Sequence, residues 1–329
     1  MFSRRSLSLS LAGVALAPPA RAKPPPVLIN LADTADAEVL KGGADAALRM
    51  TVPVTINDQG PFEFVVDTGA NRSVLASEIA APLHLPAGKP AAIHGIAGVE
   101  PAPTALVAKL SVGQVTARQV RAPLLPRARL GADGILGVDA MKNRRVRLDF
   151  RNNRLQIARS ESGFGTETDT QTTRLGADKP DPSVVVVPAR YRFGQLIIID
   201  ADIGGLPVTA FLDSGSQDTV GNLALRDAMV RTNPGLIERR TVVQLISATG
   251  QTAHGDLAAV PNFRIGGLRI GGMSAVFSDL HIFDLWGLKT QPAILIGIDV
   301  MRHFQSIDLD FGERRVTFRT APRPASVAQ

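Results

Sequence analysis

The chain contains no cysteine. Disulfides, thiol nucleophiles and thiolate metal ligands are therefore excluded, and the folded state must rest on its core and its hydrogen bonds. Histidine is also scarce. The five residues His84, His94, His254, His281 and His303 show no His-Glu-x-x-His pairing or other ligand spacing, so no metal site is expected. His94 leaves two readings open, a residue lining a cleft or an ordinary histidine on a polar face. No Gly-x-Ser-x-Gly elbow occurs, which removes the usual frame of a serine hydrolase. No segment beyond the first 22 residues is long and apolar enough to span a bilayer. Glycine (30) and proline (23) are plentiful instead, and apolar residues fall in short runs between them, a pattern of many short strands joined by turns. With 329 residues, 45% of them hydrophobic, there is room for two domains and a sizeable core.

The N-terminus reads as a targeting segment. Met1 to Arg5 is basic, Ser6 to Ala17 is modestly apolar, and Ala20-Arg21-Ala22 is a small-x-small cleavage site. Residues 1–22 are thus expected to be a signal peptide, leaving a periplasmic or secreted protein without a stable membrane anchor. Arg4-Arg5 leaves twin-arginine and general export equally open. The segment carries Arg4, Arg5 and Arg21 and no acidic residue, so its removal lowers the formal net charge from +6 to +3. A modest excess of that size calls for no nucleic-acid partner. The densest basic stretch, Arg121 to Arg159, is read as solvated strand faces and turns, with attraction to an anionic envelope surface as the alternative.

The most informative feature is an internal repeat. Pro61-Phe62-Glu63-Phe64-Val65-Val66-Asp67-Thr68-Gly69 matches Pro207-Val208-Thr209-Ala210-Phe211-Leu212-Asp213-Ser214-Gly215 at an offset of 146. Leu110-Ser111-Val112-Gly113 matches Phe263-Arg264-Ile265-Gly266 at 153, and Ile135 to Met141 matches Leu295 to Met301 at 160. Leu148-Asp149-Phe150 matches Leu309-Asp310-Phe311 at 161. The offset grows only in steps, as it does when loops lengthen between equivalent strands. These matches imply two lobes, at 48–159 and 183–320. A lead-in at 23–47 (with an added edge strand at Val27 to Leu31), a Thr-, Ser- and Gly-rich linker at 160–182 and a tail at 321–329 complete the chain.

A single Asp-Thr-Gly is an ordinary turn sequence. Here each acid ends a buried apolar strand, and the Gly after it lets backbone N–H groups approach the carboxylate. Leu136-Gly137 and Ile296-Gly297 follow, each with glycine where another backbone must pack closely. The stretch Phe64 to Ala70 with Ser73-Val74-Leu75 and Gly134 to Gly137 resembles a retropepsin-type aspartic protease lobe. Phe211 to Ser216 with Thr219-Val220 and Ile294 to Gly297 resembles a second. The resemblance covers nearly the whole chain after the lead-in and implies an all-β, bilobal, pepsin-like fold made of two retropepsin-type lobes with a cleft between them.

That resemblance implies an aspartic endopeptidase acting on polypeptides, with Asp67 and Asp213 as the catalytic pair, no cofactor, and one chain sufficient as a monomer. Two close carboxylates share one proton, so the charged member activates water and the protonated member polarises the scissile carbonyl. Thr68 and Ser214 are expected to hydrogen-bond across the pair, with Gly69 and Gly215 beside them. A Ser216 hydroxyl bonded to Asp213 would make Asp213 the charged partner, since Ala70 stands at the matching place after Asp67. Two flap hairpins are expected, one with Gly95 and Gly98, the other with Ser247 and Gly250. The competing reading is a catalytically silent peptide-binding or scaffold protein of the same fold.

Overall fold

The computed structural model describes residues 38–160, 183–236 and 241–320, apart from 42 and 46. The expected signal peptide, the edge strand at 27–31, most of the linker and the tail lie outside these residues. The described chain is mostly β in two lobes, the bilobal arrangement that the repeat implies.

Each lobe has two parallel pairings, and one of them leads into an acid. Strand Gln59–Val66 runs parallel to Gly134–Leu136, with Val66 opposite Leu136. In the second lobe Thr209–Leu212 runs parallel to Ala293–Ile296, with Leu212 opposite Ile296. Both faces are covered at Phe64–Val66, at Ala210–Leu212 and along their parallel partners, which is why those stretches are continuous apolar runs and not alternating ones. Phe64, Val65 and Val66 are fully buried, as are Phe211 and Leu212 to within 3%. Short helices Val138–Met141 and Ile298–Met301 follow the parallel partners.

The lobes are joined by antiparallel pairing of Arg144–Asp149 with Ser306–Asp310. Val146 lies opposite Leu309 and Leu148 opposite Ile307, so residues equivalent in the repeat exchange partners about a local two-fold. The hairpin partners Arg154–Arg159 and Arg315–Arg319 flank this pair; Glu38–Lys41 forms the edge on one side, and on the other Val184–Arg192 continues the sheet into the second lobe through Gln195–Ile198. The basic stretch is not wholly solvated, in contrast to the sequence expectation. Arg145 is 4% exposed, and Arg147 forks onto Asp308 across the lobe boundary at 2.6 and 3.0 Å. These cations face carboxylates of the other lobe, whose place beside them is set only when the lobes pair.

Candidate active site

Asp67 and Asp213 stand where the parallel pairings of Gln59–Val66 and Thr209–Leu212 end. The Asp67 N–H donates to Leu136 O and the Asp213 N–H to Ile296 O, both at 3.0 Å. The following loops are held alike in both lobes. Ser73 Oγ donates to Asp139 Oδ1 at 2.7 Å and accepts from Gly137 N at 3.1 Å; Thr219 Oγ1 donates to Asp299 Oδ1 at 2.7 Å and accepts from Gly297 N at 3.0 Å. Glycine is required at 137 and 297 because a Cβ there would lie 2.5 Å from the Arg72 carbonyl carbon and 2.6 Å from that of Asp218.

The two loops then lock into one another. Thr68 Oγ1 donates to Leu212 O at 2.8 Å and accepts from Ser214 N at 3.1 Å. Ser214 Oγ donates to Val66 O at 2.8 Å and accepts from Thr68 N at 3.0 Å. Both hydroxyls are buried and use donor and acceptor capacity together, so they cross-brace the lobes at the floor of the cleft. The side chains of Asp67 and Asp213 come within hydrogen-bonding reach of each other. A methyl group built on Gly69 would collide with the Asp213 carboxylate, and one on Gly215 with that of Asp67.

Each carboxylate accepts two backbone amides through Oδ1. Gly69 and Ala70 donate to Asp67 at 2.8 and 2.9 Å; Gly215 and Ser216 donate to Asp213 at 3.0 and 3.1 Å. The Ser216 hydroxyl does not reach Asp213, contrary to the sequence expectation. It donates to Asp218 O at 2.8 Å, because the loop turns that side chain toward its own backbone. Ser216 therefore supports the pair through its amide, which Ala70 does equally well, and supplies no asymmetry. Burial, and then the negative charge of Asp67, push the Asp213 carboxyl up to about 8. Burial also raises Asp67, while the amides of Gly69 and Ala70, the hydrogen bond from Asp213 and the Arg49 guanidinium oppose that rise. Two buried acids this close retain a proton well above the ordinary carboxylate range.

The two hairpins meet over the cleft. Gly95 and Gly98 close the first tip through Gly95 N to Gly98 O at 2.8 Å; Ser247 and Gly250 lie in the second, where Ser247 N donates to Gln251 O at 2.8 Å. A Cβ on Gly95 would strike the hydroxyls of Ser247 and Thr249, and Gln251 Nε2 donates to Val99 O at 3.2 Å. Arg129 of the first lobe pairs with Glu100 at 3.0 Å and donates to Thr249 O at 3.1 Å, clasping the second tip. The first tip reaches across to helix His281–Leu285: Ile282 N donates to Ile96 O at 3.3 Å, and His94 Nδ1 lies 3.0 Å from His281 Nε2. His94 thus belongs to a contact between lobes. Below Ile96, Trp286 stacks on Phe211 (4.4 Å between ring centres) and Phe193 (6.0 Å). A separate cavity of about 570 Å³, with Asp218, Arg269 and His303 on its walls, opens on the second lobe away from the pair.

Sequence reasoning missed Arg129, the His281 partner of His94, and the donors behind the loops. Gln195 Nε2 donates to Gly69 O at 2.9 Å and to Asn71 Oδ1 at 2.8 Å. Arg49 Nη1 reaches Gly215 O at 3.4 Å. Arg49 and Gln195 stand at the 146-residue offset of the first repeat match, but they differ in side chain, so the repeat marks their equivalence and not their role.

Two lobes of one design that bring paired, interlocked Asp-Thr-Gly and Asp-Ser-Gly loops together define an aspartic-protease fold. The aspartyl protease family matches residues 52–140 and 199–300, more than half of the chain and once in each lobe. The chain belongs to that family. A search of the curated proteins finds no match.

Proposed function

We propose that the protein is an exported aspartic endopeptidase that hydrolyses peptide bonds with water activated between Asp67 and Asp213. The observation that carries this reading is the pair itself: two acids from two lobes, within hydrogen-bonding reach and each held by two amides. The ionised carboxylate takes a proton from water as its oxygen attacks the scissile carbonyl carbon, and the protonated acid gives its proton to the carbonyl oxygen. The tetrahedral diol then collapses: the C–N bond breaks, a proton passes to the leaving amine, and the pair returns to its singly protonated state. No covalent enzyme intermediate forms.

The substrate is an extended polypeptide held under the two hairpins, where main-chain hydrogen bonds give affinity and pockets read alternate side chains. Ile96 and Phe193, partly exposed where they pack against the buried Trp286 and Phe211, favour an apolar side chain next to the cut bond. Both acids belong to one chain, so a monomer suffices. Export follows from the basic, apolar and Ala-x-Ala order of residues 1–22, and mass analysis of an envelope fraction should find a chain beginning at Lys23.

The decisive experiment is peptide-library cleavage with the wild type, Asp67→Asn and Asp213→Asn. Each variant should lose at least ~1,000-fold in kcat with the fold retained, since the two acids act as one unit. A folded wild type that binds library peptides and cuts none would instead establish a silent binding protein.

A further inference from the structure

The hydrogen bonds of the catalytic loops obey the two-fold of the repeat almost throughout. Thr68 mirrors Ser214, Ala70 mirrors Ser216, Ser73 mirrors Thr219 and Asp139 mirrors Asp299, with matching partners in both lobes. Symmetric acids in symmetric surroundings have no reason to divide the two roles of base and acid. The symmetry of charge is broken at Arg49, which stands opposite Gln195, and at the exposed Arg72, which stands opposite Asp218; the first of these bonds a glycine of the opposite loop. Arg49 and Gln195 are equivalent, and each donates to the glycine carbonyl of the opposite loop, Arg49 to Gly215 O and Gln195 to Gly69 O. Gly215 packs against the Asp67 carboxylate and Gly69 against that of Asp213. The cation therefore stands behind Asp67 and a neutral amide behind Asp213.

We propose that Arg49 is the positioning residue that makes Asp67 the ionised, water-activating member of the pair and leaves the proton on Asp213. This assignment rests on the peptidase reading above and gives its two acids separate roles.

Arg49 is built in rather than draped on the surface. Its side chain is 13% exposed, Nη2 donates to Leu130 O at 2.6 Å, and Nε donates to Asp45 Oδ2 at 2.7 Å. Asp45 is its counter-charge, so the pair acts as a dipole with Nη1 turned toward the Gly215 loop. The position equivalent to Asp45 is Tyr191, so the second lobe has neither member of the ion pair. Other charges on the catalytic loops do not supply the bias. Asp139 and Asp299 are engaged by Ser73 and Thr219, and Asp218 interacts with Asp299 on the far side of its loop. Arg72 is exposed. Among the influences on the two acids, the attraction of Arg49 acts on Asp67, whereas Asp213 feels the repulsion of Asp67.

The test follows each carboxyl directly by NMR of protein carrying isotope-labelled aspartate, with Asp67→Asn and Asp213→Asn used to assign the two resonances. In the wild type Asp67 should ionise in the lower step and Asp213 in the upper. Arg49→Gln makes the two positions alike and should remove the preference for Asp67; Arg49→Lys should keep it. Exchanging the pair, Arg49→Gln with Gln195→Arg, should make Asp213 ionise first. In peptide hydrolysis the acid limb of the kcat/KM profile should move to higher pH in Arg49→Gln and return in Arg49→Lys, because less attraction makes the active anion harder to form. A merely structural role would lower the plateau and leave the limb in place.

The proposal is overturned if Asp213 ionises first in the wild type, or if Arg49→Gln moves neither titration. Should Arg49→Gln fold poorly because Asp45 is stranded, Arg49→Gln with Asp45→Asn removes the stranded charge, and the wild-type titration needs no variant. A wild type that cuts no peptide but titrates in the stated order refutes the peptidase reading alone. Cleavage with the opposite order refutes this assignment alone.

Discussion

Removing one catalytic acid should stabilise the fold at neutral pH. Asp213 is 9% exposed, and its carboxyl is raised from 3.8 to about 8 by burial first and then by the charge of Asp67. In the unfolded chain the same group ionises near the ordinary carboxylate value. Between those two pH values the folded state holds a proton that the unfolded state releases, so wild-type stability falls as pH rises. Each unit is worth about 1.4 kcal/mol, which gives roughly 4 kcal/mol at pH 7 as an upper bound.

Asp213→Asn abolishes this cost. The amide oxygen keeps the Gly215 and Ser216 hydrogen bonds, and its NH₂ donates to Asp67 in place of the lost proton. Asp67, now opposite a neutral group, stays ionised beside Arg49. Because the pair shares its charge, the expected net gain is about 1–3 kcal/mol at pH 7. Denaturant unfolding of both proteins from about pH 4 to pH 8 measures it. The curves should coincide at the acid end and separate steadily toward neutrality, with the variant several degrees higher in Tm at pH 7. A variant equal to or weaker than wild type at pH 7 would show that the acids are not held together as described.

The hairpins and the glycine packing give further tests. Gly95→Val places a side chain against Ser247 and Thr249 and should lower kcat/KM by about tenfold or more with little change in Tm, since hairpin tips add few core contacts; wild-type turnover would refute closure by tip-to-tip packing. Arg129→Ala should free Thr249 O and speed amide exchange across 247–251, and an unchanged exchange rate would remove the clasp. Gly297→Ala forces a Cβ onto the Asp218 backbone and should cost about 1–3 kcal/mol, read as a lower denaturant midpoint. Stability equal to wild type would mean that the two loops are not in close contact.

The elements around the acids were readable in advance because their physics is local. A run such as Phe64-Val65-Val66 must be buried on both faces wherever it goes, and an acid at its end followed by Thr-Gly or Ser-Gly offers amides to its own carboxylate. Duplication did the rest, since one lobe needs a partner lobe to bury its open end. The Ser216 expectation failed for a local reason: a hydroxyl two residues from a free carbonyl in its own loop finds that acceptor first. Arg49 and Gln195 share the repeat offset but differ in side chain, so the comparison that marks conserved chemistry passes over the place where symmetry is broken.

The order of residues alone thus determined two β lobes, their strand ends, and the two acids those ends carry, because period, burial and turn chemistry act over a few residues. Only the tertiary structure decided what crosses between lobes. The Thr68 and Ser214 brace, the fork of Arg147 on Asp308, the meeting of His94 with His281 and the clasp of Arg129 on Thr249 all join residues more than a hundred positions apart. Such contacts depend on how the lobes pack against each other, and a hydrogen bond lost by an ångström or two is no hydrogen bond. The placement of a cation behind one acid and an amide behind the other is of that kind, visible only once the loops stand face to face.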